Sequence, residues 1–238
     1  MILYDVRTIV RPGSTSSAEV GDRHYRDLRK VFPWAGITCA ADALRQTGVA
    51  TAVRKRRQCV DVRTCEELTF TLTAGIPASR IVMHDDGITA APIRRAVNAR
   101  VGRVVVGCRQ QAAVLAACAD RPQEVVVDVS GGCCAAVIAA VLGHPRLELV
   151  GLHARLAPDA TTAAYADAVA RMIAQMAHIR REHGVILTRV SLAGGTVLYD
   201  SAPATSVLRG LASNLGDAFD DSCARFRFPR PAMTLEVR

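Results

Sequence analysis

Aromatic residues and lysines are scarce in this 238-residue chain. Phe, Trp and Tyr make up only 4% of the sequence, so few side chains are available to stack on nucleic-acid bases. The basic residues are nearly all arginines, and Lys30 and Lys55 are the two lysines. Because the arginines are scattered apart from one basic cluster at 54–57, the formal net charge of +8 does not indicate specific nucleic-acid binding.

Long apolar runs, a basic leader followed by an apolar stretch, and C-x-x-C cysteine pairs are also missing. The longest apolar runs fall far short of the roughly 20 residues that cross a bilayer, so we expect no membrane segment. We read no signal peptide at the start of the chain. The eight cysteines are typical of small buried hydrophobic side chains, so we predict no disulfide framework and no metal site. Together these absences predict a reduced, cytoplasmic protein.

The sequence does contain a repeated strand–helix unit, which is clearest between Cys59 and His84. A short β-type run leads into apolar residues spaced three or four apart, and a second apolar run follows. The unit recurs along the chain, and its Val-, Ile- and Leu-rich strands are typical of parallel sheets that are covered on both faces. The predicted strands cover residues 31–39, 59–62, 80–84, 103–106, 124–129, 148–153, 187–192 and 232–236. After the seventh strand we predict one helix near 204–212 and a second one reaching Cys223.

We therefore predict an α/β fold, a parallel (β/α)8 barrel of the TIM type, which typically needs about 250 residues. Residues 1–14 are assigned to an N-terminal strand and loop, and residues 15–238 to the barrel domain. A doubly wound open sheet is the alternative, because alternation of strands and helices does not require closure. The chain has no dinucleotide-binding fingerprint, since Gly194-Gly195 is a lone glycine pair.

Polar residues lie at or just after the carboxyl ends of several predicted strands, where parallel barrels bind their ligands. Asp61, His84 and His153 are the candidate catalytic residues among them, because carboxylates and imidazoles can transfer protons. Gly194 and Glu236 are expected at the same mouth of the barrel.

Six segments occur in a fixed order between about residue 30 and residue 238. They are VDVRTCEEL at 60–68 followed by AGIP at 74–77, RIVMH at 80–84, VGRVVV at 101–106, GLHAR at 151–155, LAGG at 192–195 and PAMTLEVR at 231–238. Together they resemble the diaminopimelate decarboxylases. The resemblance implies the alanine racemase-like barrel of fold-type III pyridoxal-phosphate (PLP) enzymes, which include ornithine and arginine decarboxylases.

The resemblance also implies a PLP cofactor at the barrel mouth and amino-acid decarboxylase (lyase) chemistry. In the family, a first-strand lysine forms a Schiff base, a histidine stacks on the cofactor ring, a glycine loop binds phosphate, and a glutamate holds the pyridine nitrogen protonated. By position, these roles fall to Ile37 or Thr38, Arg155, the pair Gly194 and Gly195, and Glu236.

Departures from the family pattern indicate a degenerate member. Neither Ile37 nor Thr38 carries the amine that a Schiff base needs. Arg155 replaces the stacking histidine, Pro158 replaces a serine, and Ala193 replaces the first glycine of the phosphate loop. The family's C-terminal β-domain, which completes the active site in a dimer, has no counterpart in the sequence. We therefore expect a pseudoenzyme that serves as a binding or regulatory module without covalent PLP.

Two alternatives stay open. One is an active decarboxylase-like lyase or another enzyme at the same mouth, using Asp61, His84, His153 or Arg155. The other is a single-barrel PLP-binding protein, a class that depends on the same lysine. Expected partners are a small anionic ligand, a second copy of the chain or an active paralogue, with no specific nucleic acid and no membrane.

Overall fold

Eight parallel strands close into a barrel in which each strand pairs with the next and the last pairs with the first. The computed structural model describes residues 25–84, 90–131, 134–195 and 205–237. Closure confirms the (β/α)8 prediction over the open sheet. The predicted N-terminal strand in residues 1–14 lies outside the described residues, so that domain boundary stays a prediction.

The elements alternate along the chain as the sequence pattern predicts. The strands β1 to β8 are Ala35–Ala40, Val60–Val62, Ile81–His84, Arg103–Val106, Gln123–Asp128, Leu147–Leu156, Arg189–Gly194 and Ala232–Val237. The helices are α1 (described over 25–31), α2 Val49–Arg56, α3 Cys65–Thr73, α4 Ala91–Asn98, α5 Arg109–Cys118, α6 Cys134–Leu142, α7 Thr162–His183 and α8 Thr205–Arg225. Among the described helices, none has the length and apolarity that a bilayer crossing requires.

The start of the first strand differs from the prediction. β1 begins at Ala35, whereas Val31 ends α1. The Phe32 amide donates a hydrogen bond to the Leu28 carbonyl at 2.7 Å, which closes the last helical turn. Pro33 follows and has no amide hydrogen for a strand ladder. Apolar residues at this point are buried in either conformation, so the sequence pattern could not separate helix from strand.

The helix after β7 is also simpler than predicted. We expected one helix near 204–212 and a second one reaching Cys223, but α8 is continuous. Gly210 lies on its exposed face with open space around it, so the helix accommodates this glycine without a break.

A small layer of valines fills the barrel interior beneath the mouth. Val82, Val105 and Val126 pack together on β3, β4 and β5, apart from the larger core between the strands and the outer helices. Because side chains alternate along a strand, the inward position two residues later is His84 on β3 and Asp128 on β5. The barrel interior therefore changes from apolar to polar toward the carboxyl ends of the strands.

Candidate functional site

A layer of buried polar side chains lies at this mouth. Its members come from five strands and are exposed by 5% or less: Thr38, Asp61, His84, His153 and Glu236. Burying polar groups costs free energy unless each one finds a partner. Their hydrogen bonds therefore define what the site can do.

Asp61 and His84 form a buried pair across β2 and β3. The His84 Nε2 atom lies 2.9 Å from Asp61 Oδ1. Burial alone raises the pKa of Asp61, but the hydrogen bond with His84 and the electrostatic attraction of that ring, with smaller contributions from Thr38 and His153, hold the pKa below its usual value. The carboxylate is thus charged at neutral pH, and it fixes the orientation of the imidazole.

His153 stands edge-on to His84, with ring centroids 5.0 Å apart. Its Nδ1 atom lies 3.2 Å from Ser191 Oγ on β7. Burial lowers the pKa of His153 to about 3, with a further contribution from the neighbouring His84, so the ring is neutral near pH 7.

Arg63 and Glu236 form an ion pair that joins β2 to β8. The Arg63 guanidinium donates to Glu236 Oε1 at 2.6 Å, and the two side chains are 15% and 1% exposed. The Arg63 amide also donates to Glu67 Oε2, so Glu67 caps the start of α3 together with Thr64. The ion pair brings together residues that are 173 positions apart in the sequence.

A cavity of about 220 Å³ opens at the mouth next to this layer. Its lining includes His84, Asp128 and Arg155, together with Gly107 just after β4 and Gln111 in the first turn of α5. Arg155 is exposed there, and its amide donates to Ser130 Oγ at 2.7 Å. The cavity therefore carries charges of both signs.

The glycine pair at the end of β7 has a packing role. Gly194 and Gly195 have φ angles of +91° and +74°, which favour glycine. A Cβ atom on Gly194 would lie 2.1 Å from the Leu156 carbonyl oxygen, and one on Gly195 would lie 1.9 Å from the Tyr165 hydroxyl. That hydroxyl donates to the Gly194 carbonyl at 2.8 Å. The close approach of β6 and α7 is therefore sufficient to require glycine at both positions.

The structure thus gathers Asp61, His84, His153 and Glu236 into one buried layer, and it places Arg155 in the adjoining cavity. Sequence reasoning missed the supporting residues, which are Thr38, Arg63, Asp128 and Ser191. For Asp128 a signal was available in the strand alternation, since it lies two residues after the inward Val126.

Comparison with known proteins gives the family. The domain described as pyridoxal-dependent decarboxylase, pyridoxal binding domain, matches residues 19–140, a little over half of the chain. The chain belongs to this family. Its resemblance to PLP-binding decarboxylase barrels is thereby confirmed.

Individual relatives agree with this assignment. Diaminopimelate decarboxylase from Actinosynnema pretiosum subsp. auranticum is 28% identical over 238 residues, which cover 89% of this chain and 54% of that protein. The crystal structure of diaminopimelate decarboxylase from M. jannaschii superposes with a TM-score of 0.79 at 14% identity, covering 93% of this chain and 59% of the other. Lysine decarboxylase from Selenomonas ruminantium gives a TM-score of 0.76 at 18% identity, with 93% and 60% covered. The chain spans about half the length of the curated relatives that it matches.

The described residues do not fit a covalently attached PLP. Lys30 and Lys55, the chain's two lysines, are exposed on the outer helices α1 and α2, just ahead of the amino ends of β1 and β2. At the mouth end of β1 stands Thr38, which is 4% exposed and whose hydroxyl donates to the Leu235 carbonyl at 3.5 Å. Glu236, which the resemblance aligns with the carboxylate that contacts a pyridine nitrogen, already binds Arg63 through one of its oxygens.

Proposed function

We propose that this member of the decarboxylase family forms no internal Schiff base and works as a binding or regulatory module. The observation that carries the proposal is the position of the two lysines on the outside of the barrel, with Thr38 at the mouth end of β1. Without an amine at the mouth, the chain cannot hold PLP by the covalent link on which the family's decarboxylation depends.

Other departures from the family pattern at the barrel mouth also argue against covalent PLP chemistry. Arg155 presents a charged guanidinium where a stacking imidazole is expected, and it shares its cavity with the Asp128 carboxylate. The Cys39 thiol, next to Thr38, is not a substitute nucleophile, because burial and the nearby Asp61 charge raise its pKa to about 12. These features support a mouth that has lost the family's covalent chemistry.

The ligand class that best suits the cavity is a small anion. Arg155 supplies a permanent positive charge there. The Asp128 carboxylate opposes it, so we expect weak binding of phosphate or a small carboxylate and no tight PLP pocket. A second copy of the chain or an active paralogue is the partner through which such a module would act.

An enzyme acting at the same mouth without covalent PLP is the second candidate. The Asp61–His84 pair favours it, because a carboxylate that orients an imidazole is a common arrangement for moving protons. His84 also lines the cavity, where a ligand could reach it. Turnover of an amino acid by the purified chain, lost in Asp61→Asn, would support this candidate over the binding module.

Titration with PLP and with phosphate tests the proposal. PLP added to the purified chain should give no Schiff-base absorbance band. Calorimetry should show phosphate binding in the millimolar range at best, weakened several-fold by Arg155→Ala and unchanged by Arg121→Ala, an exposed arginine beyond α5. Micromolar PLP binding that Arg155→Ala leaves intact would defeat the proposal.

A further inference from the structure

Three buried side chains on three different strands converge beneath the cavity. His84 ends β3, His153 lies on β6 and Glu236 lies on β8, with exposures of 2%, 0% and 1%. Each offers one ligand-type atom, and these three atoms lie within 4.8 Å of one another. We refer to His84, His153 and Glu236 as the mouth triad.

Each member of the mouth triad has one polar atom in use and one without a hydrogen-bond partner. The Nε2 atom of His84 contacts Asp61, the Nδ1 atom of His153 contacts Ser191, and Oε1 of Glu236 binds Arg63. Within the described part of the chain, the buried atoms without a partner include His84 Nδ1, His153 Nε2 and Glu236 Oε2. Buried polar atoms seldom stay unsatisfied, so three in one cluster call for a missing ligand.

We propose that the mouth triad binds a divalent transition-metal ion through His84 Nδ1, His153 Nε2 and Glu236 Oε2. Two imidazoles and one carboxylate are a donor set that suits Zn²⁺ and related ions and leaves coordination positions open. The cavity that His84 lines can hold a water molecule or a small anion at an open position.

The residues around the mouth triad have the arrangement that metal sites use. A metal-binding histidine usually donates its second ring N–H to a carboxylate or another oxygen, which fixes the ring and its tautomer. Asp61 Oδ1 does this for His84, and Ser191 Oγ does it for His153. Arg63 in turn binds Oε1 of Glu236, the oxygen that the proposed ion does not use.

The local charge also favours a cation. Three carboxylates lie in or beside the mouth triad, from Asp61, Asp128 and Glu236, against the two guanidinium groups of Arg63 and Arg155. The balance of one negative charge attracts a divalent ion.

Four-coordinate Zn²⁺ at its usual bond lengths needs ligand atoms about 3.4 Å apart. The ligand-type atoms of the mouth triad lie up to 4.8 Å apart, so ion binding requires the three side chains to move closer together.

Cobalt uptake is the most informative test, because its visible spectrum reports the ligands. The whole purified chain is stripped with a chelator, titrated with Co²⁺ and then challenged with Zn²⁺. We expect one equivalent of Co²⁺ with the intense visible bands of a low-coordinate nitrogen and oxygen site, displaced by one equivalent of Zn²⁺.

Matched variants locate the ion. Glu236→Gln keeps the shape and an acceptor for Arg63 but removes the ligating carboxylate, and Ser191→Ala removes the group that orients His153. Each should weaken Zn²⁺ binding about tenfold or more. His178→Gln, on the exposed face of α7, should leave the affinity unchanged.

Three outcomes would contradict the proposal that the mouth triad binds a metal ion. They are a failure to take up Co²⁺ or Zn²⁺, thiolate charge-transfer absorption that assigns the ion to cysteines, and affinity that Ser191→Ala and Glu236→Gln leave unchanged. Circular dichroism checks the fold of each variant. If Glu236→Gln does not fold, the cobalt spectrum of the wild type and the Zn²⁺ affinity of Ser191→Ala decide whether the mouth triad binds the ion. The result is independent of the proposed anion binding, because metal uptake is measured without phosphate.

Discussion

At the residue scale, Glu236 depends on an ion pair for its place in the barrel mouth. Its carboxylate is 1% exposed and binds Arg63 at 2.6 Å. A charge removed from water in this way is tolerated only when a partner of opposite charge and further hydrogen bonds offset the lost hydration. The buried Glu236 carboxylate thus depends on Arg63 as its partner.

Replacing the arginine should therefore destabilise the fold. Arg63→Met leaves the Glu236 carboxylate buried without this partner, and we expect the free energy of unfolding to fall by about 3 kcal/mol. Urea denaturation of the chelator-treated protein measures the change. The control is Arg45→Met, whose partner Glu66 is 82% exposed, and it should cost less than about 1 kcal/mol. Equal losses at the two positions would show that burial does not set the strength of the Arg63 pair.

Several residues of the site were predictable because strand ends are predictable. Asp61 and His84 each belong to or end a short apolar run, and the rule that parallel barrels bind at the carboxyl ends placed both at the mouth. The Arg63–Glu236 pair was not predictable in this way. Its contact depends on β8 closing against β1, which no local pattern in the sequence encodes.

At the element scale, the end of β7 packs closely against α7 at the mouth of the barrel. Gly195 has a φ of +74°, and its α-hydrogen faces the buried Tyr165 hydroxyl. The junction has no space for a side chain, which explains the glycine pair without any bound ligand.

Two glycine-to-alanine substitutions separate the packing role of Gly195 from the general effect of glycine on the free energy of unfolding. Gly195→Ala should lower the free energy of unfolding by about 2 kcal/mol or more, because it adds left-handed strain and a clash with Tyr165. Gly210→Ala, in an exposed and open part of α8, should raise it by roughly 0.5–1 kcal/mol. Urea denaturation curves of both variants give the comparison. A Gly195→Ala protein as stable as the wild type would contradict the packing described for this junction.

Elements were easiest to predict where periodicity and composition agreed. The Val-rich run of β4 was located correctly at both ends, since a strand buried on both faces reads as uninterrupted apolar sequence. β1 was placed too early, because Val31 and Phe32 are apolar and β-prone although they follow a helical path. α8 was divided in two, because its glycines resemble breaks until the packing around them is known.

At the scale of the whole molecule, the chain has the barrel of the decarboxylase family, and we propose that the chemistry of its mouth differs from the family's. The closed sheet, the matched family domain and the order of the six segments that resemble the family agree with one another. The lysines lie outside the barrel, and the buried mouth triad lies within it. A fold of this kind hosts many functions, so the side chains at the mouth decide which one is present.

Reductive trapping tests the central claim, the absence of a Schiff base, most directly. The chain is incubated with PLP, reduced with borohydride, and analysed by intact mass and peptide mapping. A Thr38→Lys variant, which places an amine at the mouth end of β1, serves as the matched comparison. The account predicts no stoichiometric pyridoxyl label on the wild type, with only trace, non-selective labelling of the exposed Lys30 and Lys55. A single wild-type lysine labelled in stoichiometric yield would contradict it.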